Sequence, residues 1–116
     1  MRTFLLSLAL LATPVAAQAE FSPVTERSQF VSLIEDRDLT RFGISLQVTT
    51  DGDIKGRAFG RDVRGAWKWS GDYFCRNLYW GSMELGSNCQ AVRRNGGTLR
   101  FISDQGAGRQ ADLYLE

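Results

Sequence analysis

The sequence predicts a mainly β domain, an antiparallel meander of seven or eight short strands closing into a small barrel or folding into a sandwich. Two observations carry this. From Leu39 onward apolar residues recur every second position, and turn-forming Gly, Asp and Asn clusters punctuate the chain at short, regular intervals. One helix and one disulfide complete the expected fold. Closure into a barrel is favoured because it protects the sheet edges, with the helix packed across one end.

Residues 1–19 are set apart. Arg2, the apolar run Phe4–Ala12 and the small-x-small site Ala17-Gln18-Ala19 read as a secretory signal peptide ending before Glu20. Pro14 and Gln18 interrupt the run short of the ~20 apolar residues that a membrane span needs. Cleavage leaves a single β-rich domain, 20–116, in the periplasm or outside the cell, without an integral membrane segment.

Thr25 is placed to cap a helix of about ten residues. Phe30, Leu33 and Ile34 form its apolar stripe, and Asp36-Arg37-Asp38 ends the pattern. Ile44, Leu46 and Val48 alternate with polar residues, and Thr50-Asp51-Gly52-Asp53 turns the chain back into Ile54–Phe59. Val63–Ser70 follows, then a turn at Gly71-Asp72 into Tyr73–Tyr79. Trp80–Gly86 reads as a loop before Asn88–Arg94. Asn95-Gly96-Gly97 leads into Thr98–Ser103, and a turn through Asp104–Gly108 into Gln110–Leu115.

Cys75 and Cys89 are the only cysteines. In an oxidising compartment they pair with each other, because the chain has no His and no third Cys to complete a metal site. If they face each other across one hairpin, Phe74 lies opposite Gln90 and Arg76 opposite Asn88. Two registers remain open for the preceding hairpin. A two-residue turn pairs Trp67 with Arg76, gathering Trp67, Trp69, Phe74, Arg76, Asn88 and Gln90 on one face. A three-residue turn puts Trp67 against the disulfide. In the first, Trp67, Trp69, Arg76, Asn88 and Gln90 are the candidate ligand lining, with Arg76 placed to stack on Trp67 and to offer a fork to an anion. In plainer terms, the tryptophans are core and the polar residues are solvated.

Composition removes several function classes. The chain has 14 basic and 13 acidic residues. Arg2 is the one charged residue before position 20, so the domain is neutral and lacks a large field for gathering nucleic acid or anionic lipid. Without His there is no Ser-His-Asp or Cys-His machinery. Asp51 and Asp53 flank a turn glycine, and Lys55 and Arg57 stand where a calcium loop would carry oxygen ligands. No strand–glycine loop–helix unit points to a nucleotide, and no cofactor or metal is expected. Ser103, Asp104 and Arg109 form a candidate rim. Trp80, Met83 and Leu85 on the expected loop are a candidate partner contact or a cover for the barrel mouth.

The runs Gly65-Ala66-Trp67-Lys68-Trp69, Tyr73-Phe74-Cys75-Arg76, Asn88–Val92 and Arg100–Gly108 resemble a group of small exported alphaproteobacterial proteins of no established function. Some of these carry a dihydrodipicolinate reductase label. Such a reductase is a two-domain cytoplasmic enzyme with a nucleotide-binding glycine loop, and this chain has neither feature. Gly65-Ala66-Trp67 with one cysteine pair is also loosely similar to barrel-shaped periplasmic protease inhibitors. The expectation is a non-enzymatic periplasmic or secreted binding or accessory domain for a small ligand or a periplasmic protein. The alternative is an inhibitor-like or partner-binding barrel acting through 80–86.

Overall fold

The computed structural model describes residues 20–116, so the leader expected at 1–19 lies outside the described residues. Within them run β1 (Ser22–Val24), helix α1 (Arg27–Ile34), β2 (Leu39–Arg41), β3 (Ile44–Val48), β4 (Asp53–Ala58) and β5 (Arg61–Ser70). β6 (Tyr73–Trp80), β7 (Met83–Asn95), β8 (Thr98–Ile102), a 3-10 turn (Asp104–Gly106) and β9 (Gln110–Leu115) follow. Strands β2 to β9 form a closed eight-stranded antiparallel barrel: each pairs with the next, and β9 returns to β2. The predicted barrel is therefore the observed one. No helix among the described residues is long and apolar enough to cross a membrane.

β1 lies outside the barrel and is too short for its sequence to show a strand period. It pairs with the second half of β7 on the edge that β6 occupies along the first half. The Phe21 ring beside it lies 3.8 Å from the Arg100 guanidinium on β8. Arg100 in turn grips Asp112 on the neighbouring strand through two bonds of 2.8 and 3.0 Å. Hydrogen bonding from Arg100 holds the Asp112 carboxyl below its ordinary range against the opposing effect of burial, with the charges of Arg100 and Arg41 adding to it. A depressed folded-state pKa means stability that is present above the ordinary carboxylate pKa, about 3.9, and lost as pH falls through the folded value. Asp112→Asn is therefore expected to lower Tm at pH 7, with the gap from wild type narrowing steadily below about pH 4. Thermal melts across pH check this, and a gap constant with pH would mean the ion pair is inert.

α1 closes one end of the barrel. Its cap differs from expectation: Glu26 occupies the cap position without a side-chain bond, and the Thr25 N–H donates to the Gln29 side chain. The helix is eight residues long because Asp36 turns left-handed, φ 57°. Phe30 and Ile34 are fully buried, whereas Leu33 is half-buried. Phe30 plugs the barrel, its ring centroid 5.0–5.3 Å from those of Phe74, Trp69 and Trp67. Arg27 ties the helix to the β3–β4 turn through the Thr50 carbonyl, and Trp69 donates to the Thr25 carbonyl.

Successive turns alternate between the two ends. The 49–52, Gly71-Asp72 and Gly96-Gly97 turns share the helix end, and the Phe42-Gly43, Phe59-Gly60, Gly81-Ser82 and 103–109 turns form the opposite one. Tight closure needs inward positions without a side chain. A β-carbon on Gly65 would lie 2.1 Å from the Asn77 carbonyl oxygen, and one on Gly56 would lie 2.2 Å from that of Ser45. At these points a neighbouring backbone approaches too closely for any side chain.

Candidate functional site

The cysteines pair as expected, Cys75 opposite Cys89 and joined by a disulfide. The two-residue turn at Gly71-Asp72 is the one adopted, so Trp67 pairs with Arg76 and Trp69 with Phe74. Phe74 faces Gln90 and Arg76 faces Asn88. The six side chains thus share a face, and that face is the barrel interior.

They do not share one cavity. Trp67 is buried at the helix end, donating from Nε1 to the Thr49 carbonyl at 2.8 Å, and Trp69 packs beside Phe30. The cation over the Trp67 ring is Arg27, 5.3 Å from its centroid, in place of the Arg76 stack that the register allowed. Asn88 turns to the 3-10 turn, donating to the Asp104 carboxylate at 2.9 Å and accepting the Asp104 N–H at 2.8 Å. It pins the 103–109 connection where β8 has ended and left β7 without a neighbour.

Arg76 and Gln90 remain. Both line a cavity of about 160 Å³ inside the barrel, walled by Leu46, Ile54, Phe74, Leu78, Phe101 and Leu113 among others. Ala111 also lines it and is exposed, so the cavity reaches the surface on the side away from the helix. Gln90 is buried and donates to the Ser103 hydroxyl at 3.2 Å. Arg76 donates to the Gly86 carbonyl at 3.2 Å. Burial pushes its guanidinium below the ordinary pKa, and among the described residues no carboxylate lies within 4 Å of it. A half-buried cation with a neutral partner has given up hydration that no negative charge replaces.

The walls were largely hidden in the sequence. Leu113 and Phe101 come from strands that meet β2 and β3 only when the barrel closes, and alternation alone cannot say which strands face each other. A larger groove of about 690 Å³ runs beside the disulfide, and Trp67, Arg76 and Asn88 of the expected lining border it together with Lys68, Asn77, Ser87 and Gln105. It is open to solvent and encloses nothing, unlike the interior cavity.

The expected 80–86 loop does not exist. Gly81-Ser82 is a two-residue turn between β6 and β7, and β7 begins at Met83. Tyr79 pairs with Glu84 while Leu78 pairs with Gly86, leaving Leu85 as the extra residue of a β-bulge. The bulge breaks the two-residue period, so the segment reads as irregular. Trp80 folds inward and donates to the Ala58 carbonyl at 2.8 Å, with Arg61 over its ring, whereas Met83 and Leu85 stay half-exposed. Of the expected rim, Ser103 and Asp104 are engaged by Gln90 and Asn88, and Arg109 is exposed.

Phe42 and Phe59, at 90% and 62% the most exposed large apolar residues among the described residues, were not singled out from sequence. The repeated dipeptide Phe-Gly at two turn positions was the available signal. Compared with protein-family models, curated proteins and solved structures, the chain matches none.

Proposed function

We propose that the protein is an exported, non-enzymatic binding barrel that takes a small organic anion, its acid group on Arg76 and its apolar part among Phe74, Leu78 and Phe101. The observation that carries this is Arg76 itself: a partly buried guanidinium at an apolar cavity, bonded among the described residues only to a carbonyl. A carboxylate there would receive a charge-assisted fork and restore what burial removed. Gln90 offers an amide beside it.

Size narrows the ligand. A dry apolar cavity of about 150 Å³ holds one benzene ring, so about 160 Å³ accommodates a ring or a short chain, not a long acyl tail. Phenylacetate and hexanoate are suitable probes, with phenylethanol and hexanol as uncharged controls. The acids are expected to raise Tm and the alcohols to leave it unchanged. Arg76→Met keeps the apolar stem and is expected to abolish the acid-dependent shift while the ligand-free protein still melts cooperatively. Acids and alcohols acting alike, or a variant that responds as wild type does, would remove the guanidinium from the reading.

A further inference from the structure

Phe42 and Phe59 crown neighbouring hairpins at the end away from the helix. The Phe59 N–H donates to the Gly43 carbonyl at 2.8 Å, and the Phe59 ring lies so close over Gly43 that a β-carbon there would come within 2.5 Å of it. Phe59 itself takes a left-handed φ of 50°. Asn and Gly adopt that conformation far more readily, and a phenylalanine there is both strained and pointed at water. Folding alone does not favour such a residue. Beyond its packing on Gly43, an outlier of this kind at an exposed tip points to a contact outside the chain.

Charge follows the same axis. Zero net charge predicts no pull on anionic lipid, but the structure separates the two signs. Glu26, Glu35, Asp36, Asp38 and Glu116 surround the helix, and Asp51, Asp53 and Asp72 occupy strand ends and turns beside it, against Arg27, Arg37, Lys55, Lys68, Arg93 and Arg94. At the other end, the turns carrying Phe42, Phe59 and Met83 and the 103–109 connection hold Arg41, Arg57, Arg61, Arg64 and Arg109 against Asp62, Glu84 and Asp104, with Arg57 paired to Asp62 at 2.7 Å.

Aromatic rings beside arginines suit the boundary of a bilayer, where rings settle at headgroup depth and guanidinium groups meet lipid phosphates. Projecting tips favour a soft surface into which each ring sinks independently, whereas a protein partner must provide a matched hollow for each. We infer that the barrel end carrying Phe42 and Phe59 docks on an anionic lipid bilayer, with Arg41, Arg61 and Arg64 facing the phosphates and the acidic helix end turned away. This docking does not depend on the cavity being filled.

Sedimentation with vesicles tests it, using phosphatidylcholine alone and an equimolar mixture with phosphatidylglycerol. The protein is expected to bind the mixed vesicles at least about tenfold more tightly, the preference fading as salt screens the charges. Phe42→Ser with Phe59→Asn is expected to lose about tenfold in binding at an unchanged or raised Tm, since Asn fits the left-handed turn. Arg41→Gln with Arg64→Gln, which touches no core residue, is expected to erase the preference for the anionic lipid. Wild type remaining in the supernatant of both vesicles overturns the proposal, even if the same tips capture a protein. So does full binding by either double variant.

Discussion

Phe30→Ala is expected to cost about 3–5 kcal/mol, the range for truncating a buried aromatic residue. The ring has no exposed surface and touches aromatic residues on three strands, Trp67 and Trp69 on β5, Phe74 on β6 and Phe101 on β8. Alanine would leave a hole where the helix seals the barrel, and the barrel cannot contract to fill it because its diameter is set by eight paired strands. A domain of this size has roughly 5–15 kcal/mol in total, so the variant is expected to lose a large fraction of its stability. Urea melts of Phe30→Ala beside Phe30→Leu measure the effect, with leucine recovering most of the loss. A cost below about 1 kcal/mol would show that the helix is not seated as described.

Removing the disulfide is expected to be nearly as damaging. Cys75 and Cys89 are 14 residues apart, and a closed loop of about that length is worth roughly 3 kcal/mol in the chain-entropy treatment. At ~4–8 °C per kcal/mol for a domain this small, Tm should fall by roughly 12–24 °C. Melting the Cys75→Ala/Cys89→Ala variant, and wild type with and without reductant, gives two readings of one quantity. The bridge also holds the register of β6 on β7, and a slip of one residue would turn Arg76 and Gln90 to the outer wall. The variant should therefore also lose the carboxylate-dependent shift at temperatures where it remains folded. A variant that melts as wild type does would locate the stability of this hairpin in its packing alone.

Much of the fold was legible locally. The alternation Ile44-Leu46-Val48, the glycine turns and the lone cysteine pair are short-range signals, and strand pairing follows from them because each strand joins its neighbour in sequence. The failures had physical causes too. β1 is too short to show a period, and the Leu85 bulge disguised thirteen residues of β7 as a loop followed by a strand. The site was legible only in part. Pairing Cys75 with Cys89 put Arg76 and Gln90 on one face, but Trp67, Trp69 and Asn88 had equal standing there until packing gave the first two to Phe30 and the third to Asp104.

The chain taken alone determined the succession of strands from β3 to β9, the covalent bridge and the face on which Arg76 lies, because alternation and turn chemistry act over a few residues. Tertiary structure decided that this face is an interior, that β9 closes on β2, and that the acids gather at the helix end while two phenylalanines stand out at the other. Those outcomes depend on which distant segments meet, and a period of two residues carries no record of that.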